Sequence, residues 1–250
     1  MNQAESFKPS SLLPYREALR LGPSQVGAKA YSVALIQKET NLLVPEGVVL
    51  RKNVWQALQS QEDESSLCEA VRQRLDRDLY IVRSSAIGED SATCSWAGCF
   101  DSFAEIPLGS LADAVIKCGN SLYERRAVAY AGLHHTKPVT EMAILIQEYI
   151  LAEFNGVGFS ANPVTGNRRE VVIEYQRGKS GGVVGGEGVS SSVLFSADAM
   201  APQEGHPDWL FVVARSVRQL EQIFQRPVDV EWIWREGQLV ITQTRPITTL

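Results

Sequence analysis

Apolar and polar positions along the chain follow two different periods. Apolar residues recur at helical spacing from Leu111 to Ala131 and again from Asp208 to Phe224, which predicts two amphipathic helices. Met142 to Ile146 is a continuous apolar run, typical of a strand covered on both faces. Val157 to Ser160 and Val171 to Tyr175 predict two further strands around an Asn-Pro-Val-Thr-Gly turn. The mixture predicts an α+β fold.

These elements predict two lobes. We expect an N-terminal lobe over residues 1–136, with one or two helices between Trp55 and Asp78, and a β-rich C-terminal lobe over residues 137–250. At 250 residues the chain is near the upper size of a single core, so one domain of two lobes is the natural interpretation. Residues 178–188 are glycine-dense, and we expect either a functional flap or a plain flexible loop.

The last predicted element is a hairpin with strands near Val228–Trp234 and Gln238–Thr244. Arg235-Glu236-Gly237 fits a three-residue loop, which would pair position 234 with 238 and put odd-numbered residues of both strands on one face. The polar residues expected on that face are Asp229, Glu231, Gln243 and Arg245. The apolar residues expected on the other face are Val230, Trp232 and Trp234. The polar face predicts a site, and a merely solvated sheet face is the alternative.

Composition excludes several classes of protein. A net charge of −5 and a pI near 5.4 argue against a nucleic-acid binder, which normally has a basic face. No apolar run approaches the roughly 20 residues needed to span a bilayer, and the N-terminus lacks the pattern of a signal peptide, so we expect a cytoplasmic protein without a membrane partner. The four cysteines show no Cys-x-x-Cys spacing, which favours buried free thiols: they are Cys68, Cys94, Cys99 and Cys118.

Candidate chemistry is concentrated between Tyr80 and Phe103. A short apolar strand there leads into Arg83-Ser84-Ser85 and then into the small-residue loop Ser95-Trp96-Ala97-Gly98. A guanidinium offers a rigid fork of donors to phosphate, and small residues let backbone N–H groups approach its oxygens. Lys29 adds a second cation, because it follows Gly27 at a predicted helix start, where the free N–H groups and the dipole favour an anion. An ordinary surface turn and a solvated lysine are the alternatives.

The order of these residues, RSSAIGEDSATCSWAG, resembles the signature of the ATP-binding domain of phosphoenolpyruvate synthase and pyruvate phosphate dikinase, written around VRSSATAED and SFAG. The resemblance extends along most of the chain. The other motifs, in the order of the family, are Gly27-Ala28-Lys29-Ala30, VPEGVVL (Val44 to Leu50), SLYERRAVAY (Ser121 to Tyr130), ILIQEYI (Ile144 to Ile150), GVGFSANPVTG (Gly156 to Gly166), VVIEY (Val171 to Tyr175) and DVEWIW…LVITQTRPITTL (Asp229 to Leu250).

This resemblance implies an ATP-grasp fold, in which ATP lies in a cleft between two α+β lobes. The family's ATP-contacting lysine, arginines, glutamate and glutamine fall on Lys29, Arg83, Arg245, Glu231 and Gln243. Its small-residue loop carries over to Ser95 and Gly98, with Ser102 at a position where the family has threonine. The segment beside adenine and ribose carries over to Gln147, Glu148 and Tyr149.

Phosphoryl transfer needs positioning, charge neutralisation and exclusion of water rather than covalent help from the protein. Lys29, Arg83 and Arg245 are therefore the expected catalytic residues, since they can neutralise a triphosphate. Glu231 is the best candidate ligand for Mg²⁺, which prefers one or two carboxylates together with phosphate oxygens and water. Gln243 can orient the metal or a phosphate oxygen. The expected cofactors are ATP and Mg²⁺.

The acceptor of the phosphate is not evident in these 250 residues. Family members usually continue into a domain with a carrier histidine, whereas none of the histidines here has that sequence context: they are His134, His135 and His206. Segment Gly178-Lys179-Ser180-Gly181 and Ala28 also depart from the family motifs. We expect a dikinase-type module that transfers a phosphoryl or pyrophosphoryl group to a histidine on a partner protein. A self-contained kinase or ligase acting on a small molecule, and an ATP-binding protein without turnover, remain the alternatives.

Overall fold

A computed structural model describes residues 7–58, 60–91, 94–96, 98–133, 138–178, 191–196 and 205–248. The chain forms two compact units. The first contains Met1–Leu35 and Glu46–Tyr149, and the second contains Ile36–Pro45 and Ile150–Leu250. Each unit combines an antiparallel sheet with helices, which confirms the predicted α+β class.

A five-stranded sheet organises the first unit. The strands of this unit are β1 (Leu12–Pro14), β2 (Gly47–Leu50), β3 (Leu79–Ala86), β4 (Asp90–Ser91), β5 (Cys94–Ser95), β6 (Ser102–Pro107) and β7 (Met142–Glu148), of which β4 and β5 pair separately. The strand order of the sheet is β1-β2-β7-β3-β6, and all neighbours are antiparallel. Strand β7 is buried from Met142 to Gln147, as the continuous apolar run predicts for a strand covered on both faces.

Helices precede and follow the strands of the first sheet along the chain. They are α1 (Tyr15–Leu21), α2 (Pro23–Glu39), α3 (Gln61–Arg72), α4 (Leu111–Asn120) and α5 (Arg125–Leu133), with 3₁₀ turns at Pro9–Ser11, Val54–Ala57, Leu108–Ser110 and Ser121–Tyr123. The predicted single helix from Leu111 to Ala131 is therefore interrupted. The reason is Ser121, whose hydroxyl donates to the Cys118 carbonyl at 2.6 Å and accepts the Asp101 N–H at 3.1 Å. Such side-chain bonds compete with the helical ladder.

The second unit has its own five-stranded antiparallel sheet. Its elements are β8 (Phe154–Phe159), β9 (Glu170–Arg177), β10 (Ser191–Ser196), α6 (Asp208–Phe224), β11 (Val228–Arg235) and β12 (Gln238–Pro246). The strand order is β10-β9-β8-β11-β12. Helix α6 packs on β9 and β11, and its fully buried residues include the four predicted to face inward: Leu210, Val213, Val217 and Leu220. Strand β10 was not predicted. The glycine-rich segment lies outside the described residues, apart from Gly178.

The closing hairpin corrects the predicted loop. Arg235 pairs with Gln238, so the loop has two residues, Glu236 and Gly237, and both have positive φ (51° and 75°), as a type I′ turn requires. A two-residue loop alone would separate Glu231 and Gln243 onto opposite faces. A β-bulge beside Glu231 adds one residue to β12 and restores the odd-with-odd pairing.

The division into units differs from the predicted boundary after residue 136. Strand β7 belongs to the first unit because it pairs with β2 and β3. Residues Ile36–Pro45 belong to the second unit: Ile36 is buried in the second core, and Leu43 forms a parallel bridge with Val240. In the part of the chain that is described, no helix combines the length and apolarity needed to cross a membrane.

Candidate functional site

Arg83 lies on strand β3 of the first unit rather than in the loop after it. In the register of the sheet it faces Ser102 on β6 and Leu145 on β7, so these side chains share one face. Ser85 lies two residues further along the same face. The structure thus brings Arg83 and Ser102, which are 19 positions apart in sequence, into adjacent positions on one sheet.

Ser85 connects this sheet face to helix α2 at an interruption of the helix. Its hydroxyl donates to the Val26 carbonyl at 2.7 Å and accepts the Ala30 N–H at 3.1 Å. The helix is interrupted at Gly27, where φ is 74° and an added Cβ would lie 2.1 Å from the Ser85 carbonyl oxygen. Only glycine fits this position, because both the backbone angle and the close approach exclude a side chain. Lys29 is thereby fixed next to the strand that carries Arg83.

Lys29 forms an ion pair with Glu89, a residue to which the sequence analysis gave no role. The two side chains are 13% and 4% exposed. The second carboxylate oxygen of Glu89 accepts the Ala86 N–H at 3.3 Å, so the carboxylate is held by the turn that follows β3. The signal in the sequence was the acidic pair Glu89-Asp90, which is separated from the Arg-Ser-Ser cluster only by Ala86-Ile87-Gly88.

Among the predicted loop residues, Ser95 lies in β5 opposite Asp90, and Gly98 has a φ of 74° with open space around its Cα. Trp96 is buried between them and anchors the segment. Its ring centroid lies 5.9 Å from that of Phe100 and 4.7 Å from that of Tyr130. The aromatic residue in this motif therefore supports the loop from the core side.

Strand β7 ends in the three residues predicted to lie beside adenine and ribose. The Gln147 side chain is fully buried, and its Nε2 donates to the Tyr15 hydroxyl at 3.0 Å, so it supports the packing of α1 on the sheet. Burial raises the pKa of Tyr15 well above its ordinary value, while the Gln147 bond acts in the opposite direction. The Gln147 side chain is enclosed by protein, which argues against the predicted direct contact between Gln147 and the nucleotide.

Glu148 and Tyr149 are half-buried and have partners at the edge of the first unit. The Glu148 carboxylate accepts from Arg77 Nε and from the Glu46 N–H, both at 2.8 Å. The Tyr149 hydroxyl donates to Glu105 Oε1 at 3.0 Å. The hydrogen bond to Glu148 is the main cause of a raised pKa at Arg77. These bonds fix the backbone where β7 leaves the sheet.

The remaining predicted residues lie on the hairpin of the second unit. Glu231 on β11 is paired directly with Gln243 on β12, and Asp229 is paired with Arg245. Glu231 is half-buried, whereas Trp232 is 1% exposed and lies in the second core, as the alternation predicts. The carboxylate and amide oxygens of Glu231 and Gln243 are the hard ligands that Mg²⁺ prefers, so this pair fits the ion.

Arg245 forms an ion pair with Asp229 in which two guanidinium nitrogens contact one carboxylate oxygen. Its Nε and Nη2 lie 2.8 and 2.7 Å from the same Asp229 oxygen, and Asp229 is 6% exposed. The sequence analysis placed Asp229 on this face but assigned it no task. The first unit thus groups Lys29, Arg83 and Ser102, and the second groups Glu231, Gln243 and Arg245. That the two groups meet at one nucleotide stays a prediction.

Comparisons with known proteins agree with the sequence motifs. Residues 53–204 match the family described as pyruvate phosphate dikinase, AMP/ATP-binding domain. A probable phosphoenolpyruvate synthase of Pyrococcus horikoshii is 31% identical over 225 residues, covering 71% of this chain and 27% of the relative. A rifampicin phosphotransferase of Bacillus subtilis is 26% identical over 239 residues, covering 80% of this chain and 27% of the relative. The chain therefore spans about a quarter of the length of these curated relatives.

A solved structure of an L-amino acid ligase from Bacillus licheniformis is also similar. It has a TM-score of 0.48 and 16% sequence identity, and the match covers 92% of this chain and 46% of the ligase.

Proposed function

Because the chain belongs to the pyruvate phosphate dikinase AMP/ATP-binding domain family, we propose that it is the ATP-Mg-binding part of a phosphotransferase with an ATP-grasp fold. The observation that carries this proposal is the grouping of Arg83, Ser102 and Lys29 in the first unit. It joins a guanidinium, a hydroxyl and an ammonium where helix α2 resumes after Gly27, and all three are hydrogen-bond donors of the kind that phosphate oxygens accept.

Each side chain then has a task in binding the nucleotide. Lys29 and Arg83 neutralise the triphosphate, and Arg245, oriented by Asp229, adds a third cation. Glu231 and Gln243 hold Mg²⁺, which supplies charge neutralisation at the phosphate oxygens when it is bound. We assign the end of β7 to adenine and ribose through Glu148, Tyr149 and the local backbone, and we assign Gln147 a structural task.

The acceptor lies outside these 250 residues in our proposal. It is a histidine on a carrier domain of a partner protein, which receives a phosphoryl or pyrophosphoryl group. A small molecule is the second candidate, because the similarity to a rifampicin phosphotransferase extends over 80% of this chain. With no acceptor present, we expect slow consumption of ATP, since a site that excludes water protects the nucleotide from hydrolysis.

Calorimetric titration with ATP-Mg tests nucleotide binding. We expect Arg83→Ala to weaken binding by roughly 10- to 100-fold, because a charge-assisted hydrogen bond contributes about 1.5–3 kcal/mol. Arg83→Lys should restore it only in part, since a point charge does not replace the planar fork. Arg72→Ala is the matched control, because the Arg72 side chain is 57% exposed and pairs with Glu69 on the same helix, α3. Equal affinity of the parent, Arg83→Ala and Arg72→Ala proteins would refute the assignment.

ATP labelled separately at the β and γ phosphates tests the acceptor. The protein is incubated alone, with proteins encoded nearby, and with small molecules that carry a hydroxyl or carboxylate. Label on a histidine of a partner supports the dikinase-type module, and label on a small molecule supports the kinase. Rapid turnover with no acceptor would count against both.

A further inference from the structure

The ion pair between Lys29 and Glu89 is more buried than a surface salt bridge. Both side chains lie in the first unit, and Glu89 is 3% exposed as a whole residue. One oxygen of Glu89 contacts the Lys29 ammonium, and the other accepts the Ala86 N–H. The carboxylate therefore has a fixed position relative to strand β3.

A fixed carboxylate changes what the lysine can do. A lysine has a flexible four-carbon stem, and holding its ammonium in one place costs side-chain entropy. Contact with Glu89 orders the stem before any ligand arrives. An ammonium has three N–H donors, so one bond to Glu89 leaves donors for an anion.

The segment from Arg83 to Glu89 then sets three positions at once. Arg83 presents its guanidinium from the strand, Ser85 holds helix α2 at the interruption beside Gly27, and Glu89 holds the tip of the Lys29 side chain. In protein kinases a phosphate-contacting lysine is likewise held by a glutamate, and the pair must be in place for activity. A phosphate-binding lysine in this unit has the same physical requirement.

We propose that Glu89 is the positioning residue for Lys29: its carboxylate holds the Lys29 ammonium at the place where the phosphates of ATP bind. This inference rests on the proposed function, since it takes ATP as the ligand of Lys29. It assigns Glu89 no contact with the nucleotide.

The variant Glu89→Gln keeps the size of the side chain and removes its charge. We expect it to weaken ATP-Mg binding about tenfold in calorimetry while AMP affinity stays within twofold, because AMP lacks the β and γ phosphates. A merely structural defect would weaken both nucleotides alike. The matched control is Glu141→Gln, which removes the carboxylate partner of a more exposed lysine: Lys52 Nζ lies 2.8 Å from Glu141, and the side chains are 27% and 38% exposed.

A cycle with Lys29→Met tests whether Glu89 acts through the lysine. We expect the double variant Lys29→Met/Glu89→Gln to bind ATP-Mg as Lys29→Met does. The double variant also serves if Glu89→Gln alone folds poorly, since it leaves no uncompensated buried charge. An additional loss on adding Glu89→Gln to Lys29→Met, or parent-like binding by Glu89→Gln, would overturn the proposal. A parent protein that binds no ATP would instead refute the proposed function, and the inference with it.

Discussion

Replacing Arg245 by alanine should destabilise the second unit as well as weaken nucleotide binding. The reason is Asp229, whose side chain is 9% exposed and receives two N–H groups of Arg245 at 2.7 and 2.8 Å. Removing one partner of a fully buried ion pair costs about 3–5 kcal/mol, because it leaves a buried charge uncompensated. The Arg245 side chain is 25% exposed, so solvent screening lowers our expectation to about 2–3 kcal/mol.

Thermal unfolding of the nucleotide-free protein measures this effect. For a protein of this size about 2–3 kcal/mol corresponds to a decrease of roughly 5–10 °C in the unfolding midpoint. Arg235→Ala is the control on the same hairpin. Its side chain is 45% exposed and pairs with the 73% exposed Glu236, so its loss should cost no more than about 0.5 kcal/mol. The double variant Arg245→Met/Asp229→Asn should regain most of the loss. A midpoint for Arg245→Ala within 1 °C (roughly the assay's precision) of Arg235→Ala would refute the reasoning.

Two further substitutions test the first unit. Gly27→Ala should lower the unfolding free energy by more than about 2 kcal/mol, because the added Cβ would lie 2.1 Å from a backbone oxygen of strand β3. Gly109→Ala is the control: its Cβ would have no atom within 4 Å, so this variant should unfold like the parent. Equal unfolding midpoints for Gly27→Ala and Gly109→Ala would show that the backbone of α2 is not fixed in its conformation at Gly27. Tyr15→Phe removes the acceptor of the Gln147 amide and should cost about 1–2 kcal/mol while ATP affinity changes less than twofold. Tyr123→Phe, at a 60% exposed residue, is the control. A loss of ATP affinity in Tyr15→Phe would indicate that Gln147 contacts the nucleotide after all.

Local patterns were sufficient to predict most elements. The continuous apolar run predicted β7, the helical spacing predicted α4 and α6, and the polar–apolar alternation put Trp232 in the core. The pairing partners of β7 could not be predicted in the same way. Its residues satisfy the requirements of any covered strand, and the choice of the first sheet depends on contacts with β2 and β3, which are distant in sequence.

The hairpin shows why register is harder to predict than strands. The sequence Arg-Glu-Gly fits a two-residue or a three-residue loop. The two-residue loop that the chain forms would by itself place Glu231 and Gln243 on opposite faces of the hairpin. The bulge beside Glu231 returns Gln243 to the same face as Glu231, and no residue type in β12 signals a bulge. The parity prediction is therefore correct for Asp229, Glu231, Gln243 and Arg245, although for a different reason. It is wrong between the turn and the bulge, where Leu239 and Ile241 pair with Trp234 and Trp232 on the core face.

Residues that hold other site residues were the least visible in the sequence. Glu89 and Asp229 resemble any acidic residue beside a polar segment, and their roles depend on burial and on partners 60 and 16 positions away. The sequence predicted the groups expected to contact a nucleotide. It did not predict the groups that position them.

The assignment of Ile36–Pro45 to the second unit has a consequence for folding and for the design of fragments of the protein. A fragment that begins at Ile150 lacks Ile36, a fully buried residue of its core, and Leu43, whose carbonyl accepts the Ile241 N–H at 2.8 Å. No single cleavage of the chain yields both units intact. During synthesis residues 36–45 leave the ribosome about 200 residues before β12 emerges, so this segment lacks its partners while those residues are made. The two units are therefore interleaved along the chain, and the second completes its core only when almost the whole of this sequence has been made.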